Sequence, residues 1–257
     1  MLQHCILAVD YSDGWEKTLD HLPAITRLIG LVKITLVHVT ETHRRLHIED
    51  SEGAIRGHLK KLAEQISADL GLQVDYRMHR GFAATELLDA AHQTKADLVI
   101  ALNRSHSSSH ALFRGNIALN LARMTRLPLL ILPMDSKVAE PDGVVMLATD
   151  GSASGKNAER CFRSFMENSN PGLLVHVEED DRIDSGALDA LRSEFTDVNM
   201  QRLKGPPGKE IVKAAQHEEV TLLIVGKRGE TPISDLLLGS VAEYIARESH
   251  NPVLLVP

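Results

Sequence analysis

Residues 222–257 read LLIVGKRGETPISDLLLGSVAEYIARESHNPVLLVP, and this stretch decides the fold. Leu222–Val225 is apolar throughout, which marks a strand covered on both faces. Gly226-Lys227-Arg228-Gly229 follows at once. Glycine at such a place lets the chain turn sharply and lets a ligand approach the backbone with no Cβ in the way. Nine residues later Gly239-Ser240 opens a helical segment, Val241–Ser249, and a further apolar strand closes the stretch. Strand, glycine turn, helix and strand are the parts of an α/β unit built on a parallel sheet.

The chain repeats itself. A shift of 124 residues carries residues 98–133 onto this stretch without a gap: Leu98 meets Leu222, Ile100 meets Ile224, Gly115 meets Gly239, and Ala122-Arg123 meets Ala246-Arg247. The same shift places Gly81 on Gly205 and Glu86 on Glu210. Upstream the offset grows, to 138 for His38-Val39 on His176-Val177 and to 140 for Asp10 on Asp150. The second copy has therefore lost residues between its second strand and Gly205, where the first copy has a long polar helix. Internal repetition of this kind sets the architecture before any local reading. The polar segment Met134–Gly143 reads as a linker, giving domains 1–134 and 143–257.

In the first copy, His4–Val9, Lys33–Val39, Gln73–Met78, Asp97–Leu102 and Leu127–Leu132 read as strands. Gly14–Ile29, Glu52–Leu70, Ala84–Thr94 and Gly115–Thr125 read as helices, the second with Ile55, Leu59, Leu62, Ile66 and Leu70 on one face. The second copy repeats this with a shortened middle. Right-handed crossovers make each copy an open, doubly wound parallel sheet, with ligands expected at the carboxyl ends of the strands where the strand order switches.

Composition narrows the function classes. The chain has 257 residues, 25% of them charged, and a net charge of −7. That balance, without a long Lys/Arg run, argues against nucleic-acid binding. The apolar runs are too short to span a bilayer, and no basic segment followed by an apolar core opens the chain, so a soluble protein without a leader is expected. Cys5 and Cys161 fall in apolar stretches without a CxxC motif, which fits a reducing cytoplasm and two small structural residues.

Gly226-x2-Gly229-x9-Gly239-Ser240 resembles the ATP-binding pattern of the universal stress protein family. Similar to that family too are the acidic end of strand one at Asp150, His176-Val177 ending strand two, the segment Gly205–Ile211, and the final Gly239–Pro257. The resemblance covers essentially the whole chain, twice. It implies an α/β fold of two Rossmann-like domains, related to the adenine-nucleotide hydrolases and packed as a pseudo-dimer through the last strand of each.

It also implies an ATP-type site in the second copy, with ATP alone or with Mg²⁺. Thr149, Asp150 and Val177 would contact the adenosine part. Gly226, Lys227, Arg228, Gly229, Gly239 and Ser240 would surround ribose and phosphates, with Val225, Val241 and Ala242 as neighbours. A helix mouth suits phosphate because its free N–H groups and positive dipole end meet there. The first copy departs from the pattern: Leu102 stands for Gly226, Ser105 for Gly229 and Asn116 for Ser240, so it is expected to bind ATP poorly or not at all.

Plainer readings compete. In these the glycines serve turns alone, and Lys227 and Arg228 are solvated loop charges. Asp150 is in the same way a strand-end or turn acid. Ser240-Val-Ala-Glu243 reads as a capping box, with the serine hydroxyl taken up by its own helix. His43 and His47, and His106 and His110, have helical spacing but lack further ligands for a metal site. His38 and His176 end apolar strands and should find backbone partners. No P-loop and no Gly-x-Ser-x-Gly elbow is present.

Three functions follow: a nucleotide-dependent stress-response module whose occupancy alters conformation or partner choice, a slow ATPase or phosphotransferase in the same pocket, or a scaffold that binds no nucleotide. A homodimer of the whole chain is a further expectation. No catalytic residue and no metal ligand is assigned.

Overall fold

A computed structural model describes the chain except residues 1, 12–14, 42–51, 104–116, 134–139, 141, 152–154, 168–170, 179–184, 196–197 and 229–237; for residues 185–188 it describes the backbone alone. In chain order, the first half is β1 (His4–Ala8), α1 (Lys17–Ile29), β2 (Lys33–Thr40), α2 (Glu52–Leu70), β3 (Gln73–Arg80), α3 (Ala83–Thr94), β4 (Leu98–Asn103), α4 (Ile117–Met124) and β5 (Leu129–Pro133). The second is β6 (Val145–Ala148), α5 (Gly155–Met166), β7 (Gly172–Glu178), α6 (Ser185–Ser193), β8 (Val198–Lys204), α7 (Pro207–His217), β9 (Leu222–Gly226), α8 (Ser240–Glu248) and β10 (Val253–Val256).

The strands form one sheet in the order β3-β2-β1-β4-β5-β10-β9-β6-β7-β8. Within each half every described pairing is parallel, and the halves join through the antiparallel pair β5–β10. The last strand of each half is therefore the seam of a pseudo-dimer. Strands β4, β5, β6 and β10 are buried along nearly their whole length because helices cover both faces. One apolar layer lies under α1, α2 and α5, and the other under α3, α4, α7 and α8.

Local sequence explains the shape of each half. Helix α2 runs 19 residues and buries Ile55, Leu59, Ala63 and Ile66, a face of helical period, while α6 in the corresponding place has 9. This difference makes up most of the deletion that the growing offset located. Strand β3 alternates exposed and half-buried residues, as an edge strand does. Gly81 and Gly205, one in each half, both have positive φ. At each, an added Cβ would press on the glutamate five residues on, Glu86 and Glu210 respectively. Cys5 is buried in β1, and burial pushes its thiol far above the usual range. Cys161 is half-buried on α5 with its thiol pushed up to about 11.

Candidate functional site

In the second half β7 and β8 extend one way from β6, while β9 and β10 extend the other. The switch in strand order thus lies between β6 and β9, whose ends are in register: Ala148 pairs with Val225. Thr149 and Asp150 leave β6 beside Gly226, Lys227 and Arg228 leaving β9. Val177 stands at the end of β7, on the other side of β6. A crevice at such a point is where open α/β sheets bind ligands.

The mouth of α8 closes the arrangement. The Lys227 carbonyl accepts a hydrogen bond from the Gly239 N–H at 3.0 Å, and the Lys227 N–H donates to the Val256 carbonyl at 2.7 Å. The two glycine turns, 13 residues apart, are thereby brought together at the carboxyl edge of β9. Val225 and Ala242 are buried beneath them and Val241 is half-buried. Of the predicted residues, Thr149, Asp150, Val177, Val225, Gly226, Lys227, Arg228, Gly239, Ser240, Val241 and Ala242 lie on these neighbouring ends; Gly229 lies outside the described residues. So do the pairs His43/His47 and His106/His110, and the linker positions 134–139 and 141. Among the described residues no group of three metal-ligating side chains occurs.

The capping-box expectation is corrected. Gly239 is the N-cap of α8, with no side-chain cap, and Ser240 is already the first helical residue, exposed to solvent. The shift of one position takes the serine off the N-cap place from which a hydroxyl serves the N2 and N3 amides. The Glu243 carboxylate instead meets Arg123 of the first half at 2.7 Å. Among the described residues the first amides of α8 have no side-chain partner, which suits an anion. The Arg123 guanidinium offsets the acid one turn into the helix.

Lys227 is not a solvated loop charge. It is 2% exposed, and its ammonium donates to the Thr125 carbonyl at 2.7 Å and the Arg123 carbonyl at 3.1 Å. Those carbonyls close the C-terminal end of α4 in the first half, where unpaired acceptors and the negative end of the helix dipole favour a cation. Burial, then the neighbouring Arg228, hold its pKa down to about 8. The charge that the sequence assigned to a phosphate pocket is engaged at the seam between the halves. The counterpart of Lys227 does the same in reverse: Asn103, 3% exposed, donates from Nδ2 to the Ala246 carbonyl of α8 at 2.8 Å.

At the end of strand one the halves differ. His176 Nδ1 donates to the Thr149 carbonyl at 2.9 Å, and His38 Nδ1 to the Val9 carbonyl at 2.8 Å, the same bond in each copy and the backbone partner expected for both. Beyond it, Gly151 (φ 74) of the second half has open space where a side chain would stand. Its counterpart is Tyr11 (φ 48), whose ring lies 5.3 Å from that of Trp15 and 5.2 Å from that of His38. A tyrosine is thus held in a left-handed backbone conformation that costs a non-glycine residue of order 1–3 kcal/mol. Leu102, in place of Gly226, is half-buried against the core and paired with Leu132.

Tyr11, Asn103, Arg123 and Thr125 were missed by sequence reading. The shift of 124 held a signal for one of them, since Asn103 and Lys227 are polar residues ending matched apolar strands.

The model of the universal stress protein family matches residues 1–133 and 163–257; Thr149 and Asp150 fall between the two segments. A universal stress protein of Methanocaldococcus jannaschii is 37% identical over 73 residues, 27% of this chain and 45% of that protein. One from Mycolicibacterium smegmatis is 24% identical over 232 residues, 81% of this chain and 77% of that protein. The chain spans about half or less of the curated relatives it matches over short segments: 45%, 35% and 53% for three of them. The crystal structure of a universal stress protein from Archaeoglobus fulgidus superposes with a TM-score of 0.82 at 20% identity, covering 99% of this chain and 97% of that one, a likeness of fold. Among the described residues no helix is long and apolar enough to cross a membrane. With the family model matched in both halves of one continuous α/β sheet, this chain belongs to the universal stress protein family as a tandem of two such domains.

Proposed function

We propose that the second half binds ATP, adenosine at the ends of β6 and β7 and phosphates at the mouth of α8, as a nucleotide-dependent module of the stress response. The observation that carries this reading is the closure of Lys227 on Gly239, which sets a glycine turn against a helix mouth whose N-cap is itself a glycine, at the switch point. Glycine at 226 leaves the backbone open to phosphate, and free amides with the positive dipole end stabilise negative charge. Asp150, exposed at the end of β6, suits ribose hydroxyls, and Val177 reads the base through its backbone. Domains 1–134 and 143–257 are the units of this reading.

The first half takes no nucleotide in this account. Leu102 occupies the place of the first glycine, and the Tyr11 ring stands beside His38, at the end of the strand where adenosine would lie.

The test is to denature the purified protein by heat and identify what it releases. An adenine nucleotide from the wild type, absent from Gly226→Val, supports the assignment; a protein that releases none and takes up none from millimolar ATP refutes it. Steady phosphate release that vanishes in Gly226→Val would assign a slow ATPase to the same pocket.

A further inference from the structure

Lys227 ties together three parts of the molecule that are distant in sequence. Its N–H is bound to Val256 at the end of β10, its carbonyl to the first amide of the α8 mouth, and its ammonium to the end of α4 in the first half. One residue thus fixes the loop entry, the loop exit and their seat on the other half. The Arg123–Glu243 ion pair lies beside it, again between α4 and α8. We propose that Lys227 is a positioning residue: it seats the Gly226 and Gly239 turns on the last helix of the first half, so that phosphate binding by the second half requires the first. The proposal rests on the nucleotide reading above and assigns a task to a half whose own motif is degenerate.

The physical ground is preorganisation. A cradle of backbone amides binds an anion well only if the amides are held in place before the ligand arrives, because ordering them afterwards costs affinity. The side chain of Lys227 supplies that hold from a buried position, and removing it leaves two helix-end carbonyls without their donor. The effect must fall on the phosphate part of the ligand, since the hydrogen bonds of Lys227 run to β10, α4 and the α8 mouth, while adenosine would contact β6 and β7.

The experiment compares wild type with Lys227→Met, Lys227→Arg and Lys227→Asn, the last carrying the residue that the first half uses at this place. ATP and adenosine affinities are measured by calorimetry well below the melting temperature, and amide exchange at Gly239–Ala242 is followed without ligand. We expect Lys227→Met to bind ATP about tenfold more weakly, a loss of about 1.4 kcal/mol. Adenosine binding should be unchanged, exchange at Gly239 faster, and Lys227→Arg should recover part of both. Should Lys227→Met fail to fold, Lys227→Asn is read in its place.

Unchanged ATP affinity, or equal losses for ATP and adenosine, would overturn the proposal. If the wild type binds neither ligand, the nucleotide reading fails on its own. The seating by Lys227 is then judged by exchange alone, where unaltered protection at Gly239 refutes it.

Discussion

Leu130 and Leu254 stand directly opposite each other across the antiparallel pair β5–β10, and each is the other's counterpart at the shift of 124 residues. Leu129 faces Leu255 and Ile131 faces Val253, so the register is symmetric about this pair. The pseudo-twofold axis passes between the two leucines, the contact that an isologous homodimer would make between identical residues. Both side chains are fully buried in the same apolar layer. Each leucine-to-alanine change should cost about 2–5 kcal/mol. Because the residues touch, the double variant should depart from additivity by about 0.5–3 kcal/mol in chemical denaturation. Strict additivity would mean that the seam does not bring them together.

Lys227 makes a prediction of its own in solution. Its folded pKa is held down to about 8 against an ordinary 10.5. Between those values the unfolded chain keeps the proton and the folded chain has shed it, so this group adds stability as pH climbs through the window and contributes least below it. Carbon-detected NMR of lysine Cε should find one resonance titrating near pH 8, missing in Lys227→Met. All lysines titrating together would contradict the buried seat.

Ser240 separates two accounts of the α8 mouth. A serine that caps its helix costs about 1 kcal/mol when replaced by alanine. With Gly239 as the cap and the hydroxyl exposed, Ser240→Ala should shift stability by no more than about 0.5 kcal/mol. ATP affinity should fall, since the hydroxyl is available to phosphate. A clear drop in melting temperature would restore the capping box.

His21 is buried in α1 and His4 half-buried in β1, and burial lowers the pKa of both. As pH falls below 6.5 the unfolded chain takes up protons there that the folded chain resists. Their contribution is complete above that value and is lost as pH falls through the lowered folded pKa. Denaturation midpoints should decline from pH 7 to pH 5, and less steeply in His21→Gln; identical slopes would remove His21 from the cause.

Much of this was legible in the residues. Apolar runs such as Leu222–Val225 gave buried strands, and the offset between His38/His176 and Gly81/Gly205 located the shortened α6. The backbone bonds of both histidines followed from their place at strand ends. What stayed hidden depends on contacts between distant segments. Lys227 meets Thr125 across 102 residues, and no local pattern separates a lysine in a phosphate pocket from one on a helix end. Tyr11 could not be read as a ring beside His38 because its left-handed backbone departs from what its residue type prefers. The α8 cap was misread by one position, the scale on which helix ends are ambiguous.

The most direct measurement is the number of ATP molecules bound per chain by isothermal titration calorimetry. The account requires one site per chain, abolished by Gly226→Val in the second half and retained by Leu102→Ala in the first. Two equal sites, or none, would contradict it.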